Sequence, residues 1–139
     1  MLVLDTDHLV ELDLGSMQGA SLKSRLEDAG EEVAATIISA EEQLRGWLAQ
    51  IHGRRDPHEQ IEPYRRLMRR MDFFAQWNVL PWDTASADKL IELRRQRIRI
   101  GTMDLKIASI VLVHGATLLS RNLRDFRQVP ALRVEDWLQ

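Results

Sequence analysis

The chain begins with an apolar run that stops abruptly on polar residues. Residues 1–4 are all apolar, and Asp5, Thr6 and Asp7 follow at once. A strand without polar residues is typical of the centre of a parallel sheet, which helices cover on both faces. In open sheets of this kind, ligands bind at the carboxyl ends of the strands. The start of the chain therefore predicts a buried strand that delivers two carboxylates to a candidate site.

Three further short apolar runs, each followed by polar residues, predict strands at 33–38, 78–80 and 116–119. Helical periodicity fills the intervals between them. Because strands that alternate with helices imply right-handed crossovers, we expect an α/β fold: a three-layer sandwich whose central, mostly parallel sheet has four to five strands. The tail at 134–138 either adds an edge strand or docks as a short turn.

Several residues are predicted to begin helices by capping their first turn. Ser39 and Glu42 have the spacing of a capping box. Asp83 or Thr84 is the expected cap of a later helix, and Thr102 is the expected cap of a helix over 103–114. These assignments divide the chain into elements without any evident linker, so we expect one domain over residues 1–139.

Length and composition restrict the class of protein. The 139 residues suffice for one core, and the longest apolar run, 107–113, is far too short to cross a membrane. Asp5 and Asp7 interrupt the N-terminal apolar stretch, so no secretory signal is predicted. The absence of cysteine fits a cytoplasmic location and leaves only oxygen or imidazole ligands for a metal.

The net charge of −2 conceals an asymmetry along the chain. Residues 1–42 carry two basic and ten acidic side chains, whereas residues 43–139 carry seventeen basic and eleven acidic ones. The basic part fits either a polyanionic partner or ordinary solvated helix faces.

Four acids stand where strands are predicted to end or where the adjoining helices begin: Asp5, Glu42, Asp104 and Asp125. Carboxylates that are gathered at one edge of a sheet repel each other unless a cation neutralises them. Hard divalent ions such as Mg²⁺ and Mn²⁺ prefer oxygen ligands. The pattern therefore predicts a metal-dependent hydrolytic site.

Each acid also has a purely structural explanation. Asp5 and Asp7 could cap the following helix, and Glu42 could be only the third residue of a capping box. Asp104 could complement a helix dipole, and Asp125 could be a turn residue. Their joint occurrence at corresponding positions favours the functional interpretation.

Four runs in order along the chain, LVLDTDHL (2–9), IISAEEQLRG (37–46), GTMDLKIA (101–108) and GATLLSRNLRDF (115–126), resemble the successive motifs of PIN-domain ribonucleases, most closely the VapC-type toxins. The resemblance implies that Asp5, Glu42 and Asp104 are the metal-site acids. Glu42 is preferred to Glu41 because it stands four residues before Gly46, as in the family pattern.

The fourth acidic position of the family is ambiguous in this chain. Where some members have an acid, this sequence has Asn122, and Asp125 lies three residues further on. Thr6 and Ser120 are expected to support the site together with Asn122. Asp7 stands where many members have Asn and is expected to cap a helix or to lie behind the site. His8 is left outside the site.

The resemblance implies hydrolysis of RNA phosphodiester bonds with Mg²⁺ or Mn²⁺, by the toxin of a type II toxin–antitoxin pair. Arg45 and Arg121 are candidate RNA contacts, and the arginines within 94–99 are either further contacts or solvated. A cognate antitoxin and a homodimer are the expected partners. Trp47 and a helical stripe are candidate antitoxin contacts, although core packing is the default expectation for the stripe, which consists of Tyr64, Leu67, Met68, Met71 and Phe74.

Two alternatives remain. In a haloacid-dehalogenase-like phosphatase, Asp5 would be the nucleophile, Asp7 the general acid and Ser120 part of the second motif, but only nineteen residues follow Ser120 and none is a lysine. A PIN-fold module that binds RNA or protein without catalysis would explain the uncharged Asn122.

Overall fold

The centre of the molecule is a five-stranded sheet with the order β3-β2-β1-β4-β5. A computed structural model describes residues 1–139. The strands are β1 (Leu2–Leu4), β2 (Val33–Thr36), β3 (Val79–Leu80), β4 (Thr117–Leu119) and β5 (Arg133–Glu135). Every neighbouring pair is parallel. The α/β architecture and the parallel sheet predicted from the sequence are thus confirmed.

Seven helices connect and cover these strands. They are α1 (Thr6–Leu14), α2 (Met17–Ala29), α3 (Ile37–His52), α4 (Ile61–Ala75), α5 (Thr84–Arg95), α6 (Thr102–Val113) and α7 (Leu123–Phe126). None of them is both long enough and apolar enough to cross a membrane.

The side chains of β1 alternate between two hydrophobic cores, one on each face of the sheet. Val3 belongs to a cluster of 15 buried residues that includes α5 and α6 side chains. Leu2 and Leu4 belong to a second cluster of 10 buried residues with side chains from α1 and α2. Burial on both faces explains why the strand is continuously apolar, as the sequence predicted for a central parallel strand.

Several predicted boundaries are wrong. The strand expected over 33–38 ends at Thr36, whose hydroxyl accepts a hydrogen bond from Ser39 N–H at 3.1 Å. Thr36, not Ser39, therefore caps α3, and the expected capping box does not form. The cap of α6 is Gly101 without a side-chain bond, not Thr102. Of the two residues expected to cap α5, Asp83 is confirmed as the cap, through Ser86 N–H.

The C-terminal tail forms the edge strand β5, which pairs with β4 through Thr117–Arg133, Leu118–Val134 and Leu119–Glu135. β1 lies between β2 and β4, so the carboxyl ends of these three strands share one edge of the sheet. The helices α1 and α3 begin directly at this edge, as does the turn after β4. This geometry brings residues that are distant in sequence to one place.

Candidate active site

Asp5 is a buried carboxylate at the end of β1, with only 8% of its surface exposed. It caps α1: its Oδ1 accepts a hydrogen bond from Thr6 N–H at 2.8 Å. Its Oδ2 accepts a hydrogen bond from the Ser120 hydroxyl, also at 2.8 Å. Burial and the charges of Asp7 and Asp104 raise the pKa of Asp5 from 3.8 to about 6. The structural and the functional explanations of this residue are therefore compatible.

Glu42 lies beside the start of α1, although it belongs to α3. The Thr6 hydroxyl donates a hydrogen bond to Glu42 Oε2 at 2.9 Å. Burial, followed by the charges of Asp104 and Glu41, raises the pKa of Glu42 above its ordinary value. Thr6 thus contacts two of the four predicted site acids, Glu42 through its hydroxyl and Asp5 through its backbone N–H.

Asp104 lies in the first turn of α6 and shares a hydrogen-bond donor with Asp125. The side-chain amide of Asn122 donates to Asp104 Oδ2 at 3.3 Å and to Asp125 Oδ2 at 3.1 Å. Burial and the charges of Asp125 and Asp7 raise the pKa of Asp104. Both candidates for the fourth position therefore lie beside Asp104, and Asn122 bridges the two acids.

The residues 120–122 form what we call the site turn, which joins β4 to α7. The Ser120 hydroxyl donates to Asp5 and accepts a hydrogen bond from Asn122 N–H at 3.0 Å. The N–H of Arg121 donates to Asp7 Oδ2 at 3.0 Å. Ser120 and Asn122, which the sequence predicted to lie beside the site, thus contact Asp5, Asp104 and Asp125, whereas the contact of Arg121 N–H with Asp7 was not predicted.

Asp7 lies directly behind the site and is paired with His8. Burial alone would raise the pKa of Asp7, but hydrogen bonds from His8 and from Arg121 N–H lower it below its ordinary value. The His8 ring is fully buried, and its Nδ1 lies 2.5 Å from Asp7 Oδ1. The sequence placed His8 outside the site. The sequence does contain one sign of this pair: His8 is an ionisable residue that stands directly between Asp7 and the apolar Leu9.

The donor set of this edge fits a hard divalent cation in its chemistry, because every candidate ligand is an oxygen atom. The raised pKa values of Asp5, Glu42 and Asp104 all include repulsion from other site acids, which a cation would relieve. However, no three acidic or histidine side chains of the structure lie close enough together to hold one metal ion jointly. The acidic side chains must therefore move closer together before they can bind one metal ion.

The candidate RNA contacts lie at the surface. Arg45 has a side chain that is 65% exposed and pairs with Glu41 one helical turn before it. The Arg121 guanidinium donates to Gln18 Oε1 at 2.7 Å. The arginines within 94–99 are exposed and form no ion pair, as expected of a solvated segment: they are Arg94, Arg95, Arg97 and Arg99.

A cavity of about 490 Å³ lies between α1, α3 and α4. Val10, Leu14 and Trp47 supply its apolar lining, and its basic side chains come from α4. One of these, the Arg66 guanidinium, lies over the Trp47 ring at 5.2 Å from the centroid.

The predicted stripe of α4 does not pack uniformly into the core. Phe74 is buried, but Tyr64, Met68 and Met71 are among the exposed large apolar residues. The default expectation of core packing is therefore wrong for these three residues, and α4 presents apolar surface to solvent.

Comparisons with known proteins agree with this architecture. The model of the PIN domain family matches residues 2–132. A tRNA(fMet)-specific endonuclease VapC from Salmonella typhimurium (strain LT2) is 32% identical over 81 residues, which are 55% of this chain and 61% of that protein. Ribonuclease VapC1 from Rickettsia felis is 44% identical over 43 residues, which are 31% of this chain and 32% of the relative. The matched segments thus span less than two thirds of either relative.

Solved structures share the fold over nearly the whole chain. One of them is the structure of VapBC2 from Rickettsia felis bound to a DNA fragment from its promoter. A chain of that structure superimposes on this one with a TM-score of 0.74 at 20% sequence identity, and the match covers 98% of both chains. At 20% identity this likeness shows a shared fold and nothing further.

Proposed function

This chain belongs to the PIN-domain family, and from that membership we propose that it is a metal-dependent endoribonuclease, the toxin of a type II toxin–antitoxin pair. The observation that carries the proposal is the grouping of Asp5, Glu42 and Asp104 at one edge of the sheet. These acids come from three separate segments, and each has a pKa raised by burial and by a neighbouring acid. Such a grouping costs stability, which favours a functional role.

Asp5, Asp104 and Glu42 are the proposed ligands of Mg²⁺ or Mn²⁺. When bound, such an ion activates water as a nucleophile and offsets the charge of the phosphodiester group. We propose Asp125 as the fourth catalytic acid, because Asn122 is occupied as a donor to both Asp104 and Asp125.

The remaining side chains of the site orient these acids. Thr6 donates to Glu42, and Ser120 donates to Asp5. Because both donors are hydroxyl groups that can also rotate and accept, they can follow their carboxylates when these turn towards a shared cation. The hydroxyl contacts therefore accommodate the rearrangement that joint binding of an ion requires.

Substrate phosphates would reach this acidic edge through cationic side chains, for which we propose Arg45 and Arg121. Each holds a neutral or acidic partner at the surface, Glu41 for Arg45 and Gln18 for Arg121. Exposed pairs of this kind contribute little free energy, so a phosphate can replace either partner. We also propose a cytoplasmic location, where an RNA substrate would be available.

We further propose a cognate antitoxin and a homodimer. The R. felis protein of similar fold was solved as VapBC2 bound to promoter DNA. The cavity between α1, α3 and α4 combines apolar side chains with arginines, and exposed Tyr64, Met68 and Met71 extend the apolar surface along α4. An apolar segment that also carries acidic residues would complement this surface.

The test is cleavage of total RNA by purified protein with Mn²⁺, followed by mapping of the new 5′ ends. Wild type should cleave, whereas Asp104→Asn and wild type in excess EDTA should not. Asp88→Asn is the matched control, because Asp88 is exposed on α5 away from the site and makes no hydrogen bond or ion pair through its side chain. Equal cleavage by wild type and Asp104→Asn would refute the proposed metal mechanism.

A second candidate is a PIN-fold binding module without catalysis. It is favoured by the uncharged Asn122 and by the separation of the acids in the structure. Folded wild-type protein that retains RNA in a binding assay but cleaves none of it with Mn²⁺ would support this module. The phosphatase alternative is set aside, because the model of the PIN domain family matches residues 2–132, nearly the whole chain.

A further inference from the structure

A buried contact links the acidic edge to the C-terminal segment through His8. The ring is fully buried, and its Nδ1 lies 2.5 Å from Asp7 Oδ1. On the other side of the ring, Nε2 accepts a hydrogen bond from the backbone N–H of Trp137 at 3.1 Å. Asp136 Oδ1 lies 3.7 Å from Nε2, beyond hydrogen-bond distance. Because Nε2 is an acceptor here, the ring proton is on Nδ1 and is donated to Asp7.

Asp7 in turn contacts the site turn with its second oxygen. Asp7 Oδ2 accepts from Arg121 N–H at 3.0 Å and lies 3.5 Å from Ser120 Oγ. One carboxylate therefore connects the His8 ring to the backbone of the turn. That backbone carries the Ser120 hydroxyl, which donates to Asp5.

We propose that His8 is a positioning residue: it fixes the orientation of Asp7, which holds the site turn and thereby the carboxylate of Asp5. The His8 side chain forms no hydrogen bond or ion pair with the proposed ligands Asp5, Glu42 and Asp104, so its effect passes through Asp7. Its effect on reaction rate rests on the proposed ribonuclease function, whereas its effect on the turn does not. Groups that orient metal ligands from behind change affinity or activity about 10- to 100-fold when they are removed.

Two substitutions of His8 separate this role from simple core packing. In His8→Asn, the amide nitrogen replaces Nδ1, so the donor to Asp7 stays while the acceptor for Trp137 N–H is lost. In His8→Gln, the amide oxygen replaces Nε2, so the acceptor stays while the donor to Asp7 is lost. Both variants replace a buried ring with a smaller amide side chain and lose one hydrogen bond. We therefore expect the two variants to lower Tm by similar amounts in thermal unfolding.

The two variants should differ in the site. We expect His8→Gln to lower kcat about 10-fold or more at little change in KM, while His8→Asn retains a kcat close to wild type. In ¹H–¹⁵N spectra, the amide resonance of Arg121 should shift in His8→Gln and stay in place in His8→Asn. Equal loss of kcat in both variants, or an unmoved Arg121 resonance in His8→Gln, would overturn the inference.

The spectra also distinguish failure of this inference from failure of the proposed function. If wild type cleaves no RNA, the ribonuclease proposal fails, yet the Arg121 resonance still tests the role of His8. If neither variant folds, imidazole ¹⁵N shifts of the wild-type protein provide the test. A neutral ring protonated at Nδ1 is expected, and a proton on Nε2 would refute the assigned donor to Asp7.

Discussion

Neutralising Asp5 should stabilise the protein while abolishing its proposed activity. The pKa of Asp5 is about 6 in the folded chain, against an ordinary value of 3.8. Since the folded state therefore holds this proton more tightly than the unfolded chain, ionisation of Asp5 opposes folding. The penalty is absent below about pH 3.8, grows between the two values and is complete above about pH 6. One pKa unit corresponds to about 1.4 kcal/mol, so the full penalty is about 3 kcal/mol.

Asp5→Asn removes this penalty at a smaller cost. The amide oxygen can still accept from Thr6 N–H and cap α1, but the hydrogen bond from the Ser120 hydroxyl must be rearranged, which costs about 1 kcal/mol. At pH 7.5 in EDTA the variant should be more stable by about 2 kcal/mol, which raises Tm by about 5 °C in a domain of this size.

The measurement is thermal unfolding in EDTA from pH 4 to pH 8, with Asp88→Asn as a control whose stability should stay within about 0.5 kcal/mol of wild type. The advantage of Asp5→Asn should be largest above pH 6 and should shrink towards pH 4. Added Mn²⁺ should stabilise wild type more than Asp5→Asn, because binding to the folded state alone adds to its stability. An advantage that does not change with pH would refute the raised pKa of Asp5.

Further predictions concern the site turn and the packing of helices. Asn122→Asp should lower Tm in EDTA, because it adds a carboxylate beside two others. Addition of Mn²⁺ should raise the Tm of this variant more than it raises the Tm of wild type. Gly19→Ala should destabilise the protein by more than 2 kcal/mol in urea unfolding, since the new Cβ would lie 2.0 Å from the carbonyl oxygen of Glu11 and force α1 and α2 apart. Gly46→Ala, in the exposed interior of α3 with nothing within 4 Å, should instead stabilise it by about 0.5–1 kcal/mol. Thr36→Val should cost about 1 kcal/mol in the same assay, because it removes the cap of α3.

The sheet was predictable because its signal is continuous along the chain. A strand such as β1 is covered on both faces, so each of its side chains must be apolar, and its end is visible as the first carboxylate. The site acids were proposed partly on the same ground. Parallel strands end at one edge, and in the structure Asp104 lies close enough to Asp5 and to Glu42 for its charge to raise the pKa of both. The preference for Glu42 over Glu41 came from the family resemblance.

The caps were not predictable in the same way, because the choice among neighbouring polar residues depends on tertiary pairing. Thr36 and Ser39 are both good capping residues. Thr36 is still paired with Leu80 of β3, and the chain turns into α3 directly after this pair. The partner strand, which is distant in sequence, therefore decides where the helix begins. The buried contact of His8 with Trp137 is hidden for the same reason, since 129 positions separate the two residues.

The acids of the site illustrate why a local pattern could not decide between structure and function. Asp5 caps α1, and Asp104 lies in the first turn of α6, so each also satisfies the local requirements of a helix start. A cap exposed to solvent would serve the helix equally well without a raised pKa. Helix capping does not require a carboxylate to be buried beside other carboxylates. This burial arises only because the sheet brings the strand ends together. The cost in stability therefore belongs to the site, and it is what the comparison of wild type with Asp5→Asn measures.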